Sequence, residues 1–280
     1  MKIDLFNIAN FRIDGGAMFG VVPKLLWSRV YASDENNLIV LTLRSLIVET
    51  AGHTILVDTG WGDKQDEKFF RHVHIHDGEG LLEGLRKRGY KPEDITDVVL
   101  THLHADHCGG GVKGKGDGPG YELTFPEATY HVSRTQWEWA EKNNIREADS
   151  FLEENIIPIL DSGHLSLVDG DVELFPGFSV RMCYGHTPGL MIPFIKYKGK
   201  TIVYTGDLIP TVAHIPIIWN MSYDIEVLKT IEEKEKLLNE TLNENYVLVF
   251  QHDENVECGT LKMTPRGIRL NKKFSFKEIY

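Results

Sequence analysis

Asp97-Val98-Val99-Leu100-Thr101-His102-Leu103-His104-Ala105-Asp106-His107-Cys108-Gly109-Gly110-Gly111 is the stretch around which the rest of the chain can be arranged. Val98 to Leu100 reads as a strand, and side chains alternate along an extended backbone, so His102 and His104 leave that strand on one side. Both can reach a single ion. Asp106 and His107 follow at once, and the glycines at 109 to 111 suit a tight turn into a helix that carries this second pair back toward the first. Three histidines and an aspartate within six positions form the nitrogen and oxygen donor set that borderline metals such as zinc prefer. No packing requirement asks for such a set, and its two pairs leave room for two ions.

Around this motif the composition is that of an ordinary globular protein. The 280 residues are 42% hydrophobic, enough for a full core, and no linker-like stretch divides them, so a single domain over residues 1–280 is expected. A net charge of -11 argues against an extended phosphate-binding face and hence against nucleic acid as a partner. Three cysteines, Cys108, Cys183 and Cys258, are too few and too scattered for a disulfide framework, which fits a reducing, cytoplasmic setting. Asp4 interrupts what would be the apolar region of a signal peptide, and no apolar run approaches the roughly 18 residues of a spanning helix, so no membrane association is expected.

Other stretches invite a function and lose it on inspection. Gly109 to Lys115 has the spacing of a phosphate loop, but Gly116 stands where a magnesium-binding Ser or Thr should be, and a mobile loop is expected over 109–120. His72, His74 and His76 alternate like the ligand pair, yet they lie in a polar stretch without an obvious partner elsewhere and read as an exposed or lid-like loop. Leu81 to Arg88 has helical spacing with Gly89 as its stop, and Ser133 caps a helix that begins at Arg134. Strands are expected at 2–8, 38–49, 54–58, 128–132, 172–174, 179–183, 200–204 and 247–250, a solvated helix at 226–241, and a shaped loop at 14–23.

The run from His102 to His107 resembles the His-x-His-x-Asp-His signature of the metallo-β-lactamase superfamily. That resemblance implies an α/β fold, an αββα sandwich of two packed mixed β-sheets with helices on the outer faces. It further implies that His186, in Gly185-His186-Thr187-Pro188, joins His102 and His104 on one ion. His252, in Gln251-His252-Asp253, would join Asp106 and His107 on the other, and Asp207, in Thr205-Gly206-Asp207, would bridge them. A carboxylate has two oxygens for two cations at the roughly 3.5–4 Å spacing of dinuclear hydrolases, whereas an imidazole has one lone pair. Asp58, closing Leu56-Val57-Asp58, is expected behind the ligands, fixing the tautomer of a ligand histidine.

Two further segments are similar to the YtnP-type quorum-quenching lactonases and their organophosphate-hydrolysing relatives: Asp14 to Lys24, and Leu208 to Tyr223. The resemblance implies a substrate wall that includes Met18 and Phe19. Best-known acyl-homoserine lactonases have a tyrosine where Pro210 stands here, so His214 or Tyr223 is expected to take over the substrate contact. The implied function is a dinuclear metal-dependent hydrolase, a lactonase opening N-acyl-homoserine lactones by attack of a metal-bridging hydroxide. Asp106 or water would protonate the leaving group, and aryl esters or organophosphates would be side substrates. Two divalent ions per chain are implied, zinc first, with iron, manganese or cobalt as substitutes. A small ester or lactone is the expected partner, with self-pairing into a homodimer left open. The rivals are a phosphodiesterase of the same fold and a non-hydrolytic di-iron redox or sensor protein.

Overall fold

A computed structural model describes residues 1–116, 118–142 and 144–279. Its contacts divide the chain into two compact units, one of residues 1–9 and 43–170, the other of residues 10–42 and 171–280. The strands are β1 (Lys2–Asp14), β2 (Leu38–Thr50), β3 (His53–Val57), β4 (Asp97–Val99), β5 (Val112–Gly114), β6 (Tyr121–Leu123), β7 (Thr129–Ser133) and β8 (Leu165–Val168). They are followed by β9 (Val172–Phe175), β10 (Phe178–Cys183), β11 (Leu190–Tyr197), β12 (Lys200–Tyr204), β13 (Val247–Val249), β14 (Cys258–Thr264) and β15 (Gly267–Phe274). Two mixed sheets result, one ordered β1-β2-β3-β4-β7-β8 and one ordered β15-β14-β13-β12-β11-β10-β9.

In the first unit, β3, β4, β7 and β8 run parallel. A parallel strand covered on both faces is apolar without alternation, and Ile55–Val57 and Val98–Leu100 are all fully buried. Adjacent parallel strands end at the same edge of a sheet. Val57 pairs with Val99, so Asp58 and the residues after Val99 leave the sheet side by side.

In the second unit, β12 and β13 are the parallel pair, with Tyr204 opposite Val249. Two successive antiparallel pairings, β10 with β11 and β11 with β12, give β10 the same direction as β12. The amphipathic helix Val227–Glu244 lays Leu237 and Leu238 on a core that includes Ile192, Val203, Leu248 and Phe250. Among the described residues no helix is long and apolar enough to cross a membrane.

The expected strands and helices recur with ends shifted by a few residues, and the differences are local. The shaped loop expected at 14–23 is instead a continuation of β1 to Asp14, the helix Gly15–Phe19 capped by Asp14, and the start of the helix Lys24–Trp27. His72 lies in a helix, Glu67–Val73, and His74 caps it in the left-handed region. The glycine-rich stretch opens on a buried turn, Gly109–Gly111, and continues into the β5–β6 hairpin; Asp117, within it, lies outside the described residues. Several elements carried no clear sequence signal, and in two of them a proline spoke against the element. The helix Glu153–Ser162 contains Pro158. β11 is apolar throughout and contains Pro193, usually a mark against an interior strand. β12 pairs only with Phe194–Tyr197, so Pro193 sits where β11 has a single neighbour.

Candidate metal centre

The first unit supplies four donors at the carboxyl edge of β4. His102 stands three residues beyond the last β4 residue, and Asp106 and His107 lie in the short helix Ala105–Cys108. That helix is clamped from behind. The Thr59 amide and hydroxyl both donate to the His107 carbonyl, at 2.7 and 3.0 Å, and the Gly110 amide donates to the Gly60 carbonyl. A Cβ on Gly110 would stand 2.2 Å from the Thr59 carbonyl oxygen, which is why the motif needs glycine there. Cys108, packed beneath, is a structural thiol: burial pushes its pKa up to about 12, so it is no nucleophile near neutral pH.

Hydrogen bonding around these imidazoles fixes where their protons sit. Asp58, held at φ +55, accepts from the Thr101 amide and hydroxyl, both at 2.8 Å, and from His107 Nδ1 at 3.0 Å. Thr101 has spent its one hydrogen on Asp58, so toward His102 Nδ1, 3.1 Å away, its oxygen can only accept. His104 donates Nε2–H to Glu147 at 3.1 Å. Burial raises the Glu147 pKa, but bonds from His104, Asn144 and Trp139 outweigh it and hold the carboxyl at about 2, so Glu147 is an acceptor. In the neutral rings the lone pairs are then the inner nitrogens: Nε2 of His102, Nδ1 of His104 and Nε2 of His107.

Two of those lone pairs, His102 Nε2 and His104 Nδ1, face each other at 3.1 Å, and His107 Nε2 faces Asp106 Oδ2 at 3.4 Å. Like-signed lone pairs converge in this way only around a proton or a cation.

The second unit repeats the design with three donors. His186, Asp207 and His252 each stand three residues beyond a strand end, after β10, β12 and β13 respectively. His186 Nδ1 lies 3.0 Å from Asp224 Oδ1, and Asp224 is itself held by the Met221 amide. His252 Nδ1 donates to the Thr42 carbonyl at 2.7 Å, an acceptor that cannot donate back, so in the neutral ring the lone pair is on Nε2. Asp207 divides its oxygens between the two rings: Oδ2 is 3.2 Å from His186 Nε2 and Oδ1 is 2.9 Å from His252 Nε2. A carboxylate facing an imidazole lone pair is again an arrangement completed by a positive charge. The donor set fits divalent metal ions.

The four residues expected at the substrate divide by exposure. Tyr223 is 38% exposed, whereas Met18, Phe19 and His214 are buried. Phe19 lies between the faces of Trp27 and His214, at centroid distances of 5.1 and 4.9 Å. His214 donates Nε2–H to the Met18 carbonyl and accepts from the Thr211 hydroxyl at Nδ1. Burial lowers its pKa to about 3, so it is a neutral packing group with both nitrogens committed. The sequence reading missed Glu147, Asp224, Thr101 and Thr42, the partners of four of the five rings. Each is an ordinary residue in its local sequence.

A profile described as the metallo-beta-lactamase superfamily matches residues 44–252. The chain is similar to an N-acyl homoserine lactonase of Bacillus cereus, 25% identical over 238 residues that cover 80% of this chain and 86% of that one. Among solved structures it is similar to a probable metal-dependent hydrolase of Staphylococcus aureus, with 30% identity and a TM-score of 0.86 over 98% of each chain. The fold also matches that of AidC, a dizinc quorum-quenching lactonase, at 23% identity and a TM-score of 0.78 over 98% of this chain and 95% of that one.

Proposed function

The chain belongs to the metallo-beta-lactamase superfamily and is a metal-dependent hydrolase, and from that premise we propose that it opens N-acyl-homoserine lactones with a pair of divalent cations. His102, His104, His186 and Asp207 would hold one ion and Asp106, His107 and His252 the other, with Asp207 also offering the oxygen that faces His252 to the second ion. Residues 1–280 would then act as one catalytic domain. The observation that carries this proposal is the tautomer pattern: each ring faces an outer partner on one nitrogen and turns the other inward. Zinc suits the nitrogen-rich donor set best, and iron, manganese or cobalt would substitute.

When bound, the ions would make a water acidic enough to ionise near neutral pH and would polarise the ester carbonyl. The chain's own residues prepare the rest. Asp58, Glu147 and Asp224 hold ligand rings in the tautomer that offers a lone pair. Asp106, whose side chain is 17% exposed, is the ligand carboxylate open enough to pass a proton to the leaving alkoxide. Ring opening adds the elements of water across one ester C–O bond, giving a carboxylate and an alcohol. Tyr223, partly exposed, would meet the substrate, and the buried Met18, Phe19 and His214 would support the substrate wall by packing. Aryl esters and organophosphates are the side substrates such a centre would accept.

A panel assay tests the proposal. Metal-loaded protein, chelated protein and Asp106→Asn would be given acyl-homoserine lactones, aryl esters, a bis-aryl phosphodiester and paraoxon. Lactone turnover well above both controls is expected. Lactone turnover no faster than the chelated control, with vigorous phosphodiester cleavage, would replace the lactonase by the phosphodiesterase.

A further inference from the structure

A hollow of about 800 Å³ lies within the second unit, lined by Val30, Tyr31 and Trp219 among apolar groups and ringed by Arg29, Arg266, Arg269 and Lys273. In a chain of net charge -11 this is a local reversal of sign. None of the four cations makes an ion pair among the described residues; the one side-chain bond among them runs from Arg269 to the Ile268 carbonyl. Two carboxylates oppose them at the hollow: the buried Asp253, which accepts from the amides of Asn255, Val256 and Val212, and the exposed Glu254. A volume of this size is that of a small-molecule site. Its chemistry, guanidinium forks over an aromatic and aliphatic floor, suits a carboxylate that carries an alkyl chain.

We propose that this hollow is an accessory site for carboxylate amphiphiles, and that the ring-opened product of the reaction is the natural member of that class. The second half of this statement rests on the lactonase activity proposed above. Hydrolysis converts a neutral lactone into an acyl-homoserine carboxylate, so a site ringed with unpaired cations discriminates product from substrate by charge while the floor holds either acyl chain. A neutral lactone offers the guanidinium groups carbonyl acceptors but no opposite charge.

Calorimetric titration separates the possibilities. Chelated protein, which removes the catalytic centre as a binding site, would be titrated with decanoate, N-decanoyl-homoserine, N-acetyl-homoserine and the neutral N-decanoyl lactone. The two long-chain carboxylates are expected to bind, and the short-chain carboxylate and the lactone to bind at least about tenfold more weakly. Substituting Arg266→Gln, Arg269→Gln and Lys273→Gln together should weaken decanoate by at least about tenfold without moving the melting temperature, and Arg29→Gln alone should weaken it by less. Binding that vanishes on chelation, or that is equal in the triple variant, overturns the site. Decanoate binding without N-decanoyl-homoserine binding overturns the product assignment. Failure of the metal-loaded enzyme to open the lactone, with decanoate still bound by chelated protein, ends the lactonase reading and leaves the amphiphile site standing.

Discussion

An imidazole serves a metal well only when its other nitrogen is held, and here the holders are two carboxylates, a carboxylate shared with a threonine, and a backbone carbonyl. Replacing such a holder leaves every ligand in place yet loosens it. Glu147→Gln and Asp224→Asn are each expected to weaken metal binding by about 10–100-fold, measured by competition with a chromophoric chelator. Wild-type affinity in both variants would show that these carboxylates only pack. At this scale the sequence was partly legible. The donors declare themselves through residue type and dense spacing, but Glu147 and Asp224 lie 43 and 38 positions from the rings they hold, and nothing local distinguishes them from surface acids. His214 shows the converse, a histidine in a functional-looking segment that burial keeps neutral and packed.

Strand ends do the positioning. His102, His186, Asp207 and His252 each follow a strand end by three residues, and Asp58 follows β3 at once. Short apolar strands ending in polar residues are visible in the sequence, so the carboxyl edges could be found before the sheet order was known. Helices at 15–19 and 153–162 were not legible, because glycines in one and Pro158 in the other speak against helix while tertiary packing overrides them. The clamp behind the motif helix predicts that Gly110→Ala destabilises the fold by more than about 3 kcal/mol in chemical denaturation, since the added Cβ meets backbone rather than a movable side chain. A loss under about 1 kcal/mol would mean the 59–62 segment yields.

Within the helix Val227–Glu244, Lys234 is 1% exposed and donates to the Trp219 carbonyl and to Asn220 Oδ1. Burial lowers its pKa from 10.5 to about 7. Between those values the unfolded chain keeps a proton that the folded chain has shed, so stability rises with pH across that window, and the cost of the buried charge is fully present below about pH 7. The stability of wild type relative to Lys234→Met should therefore improve by a few kcal/mol between about pH 6.5 and pH 10; a flat difference would mean the ammonium is not buried as described.

For the molecule as a whole, the proposed ligand set gathers donors from positions far apart in sequence, from 102 to 252, so metal should bind the folded chain and not the unfolded one. Divalent metal at about 100 times its dissociation constant is then expected to add about 2.7 kcal/mol of stability, read from denaturant curves with and without chelator. The mixed sheets followed from the resemblance to the superfamily, as did the order of the proposed ligands, of which only the His102 to His107 cluster stands out by residue type alone. The accessory hollow was not legible, since Arg29 meets Arg266, Arg269 and Lys273 from a distant part of the sequence. Elemental analysis of zinc-reconstituted protein tests the central claim most directly. About two ions per chain are expected in wild type and no more than about one in Asp207→Ala; wild-type protein that retains fewer than about one ion per chain would contradict the paired-cation centre.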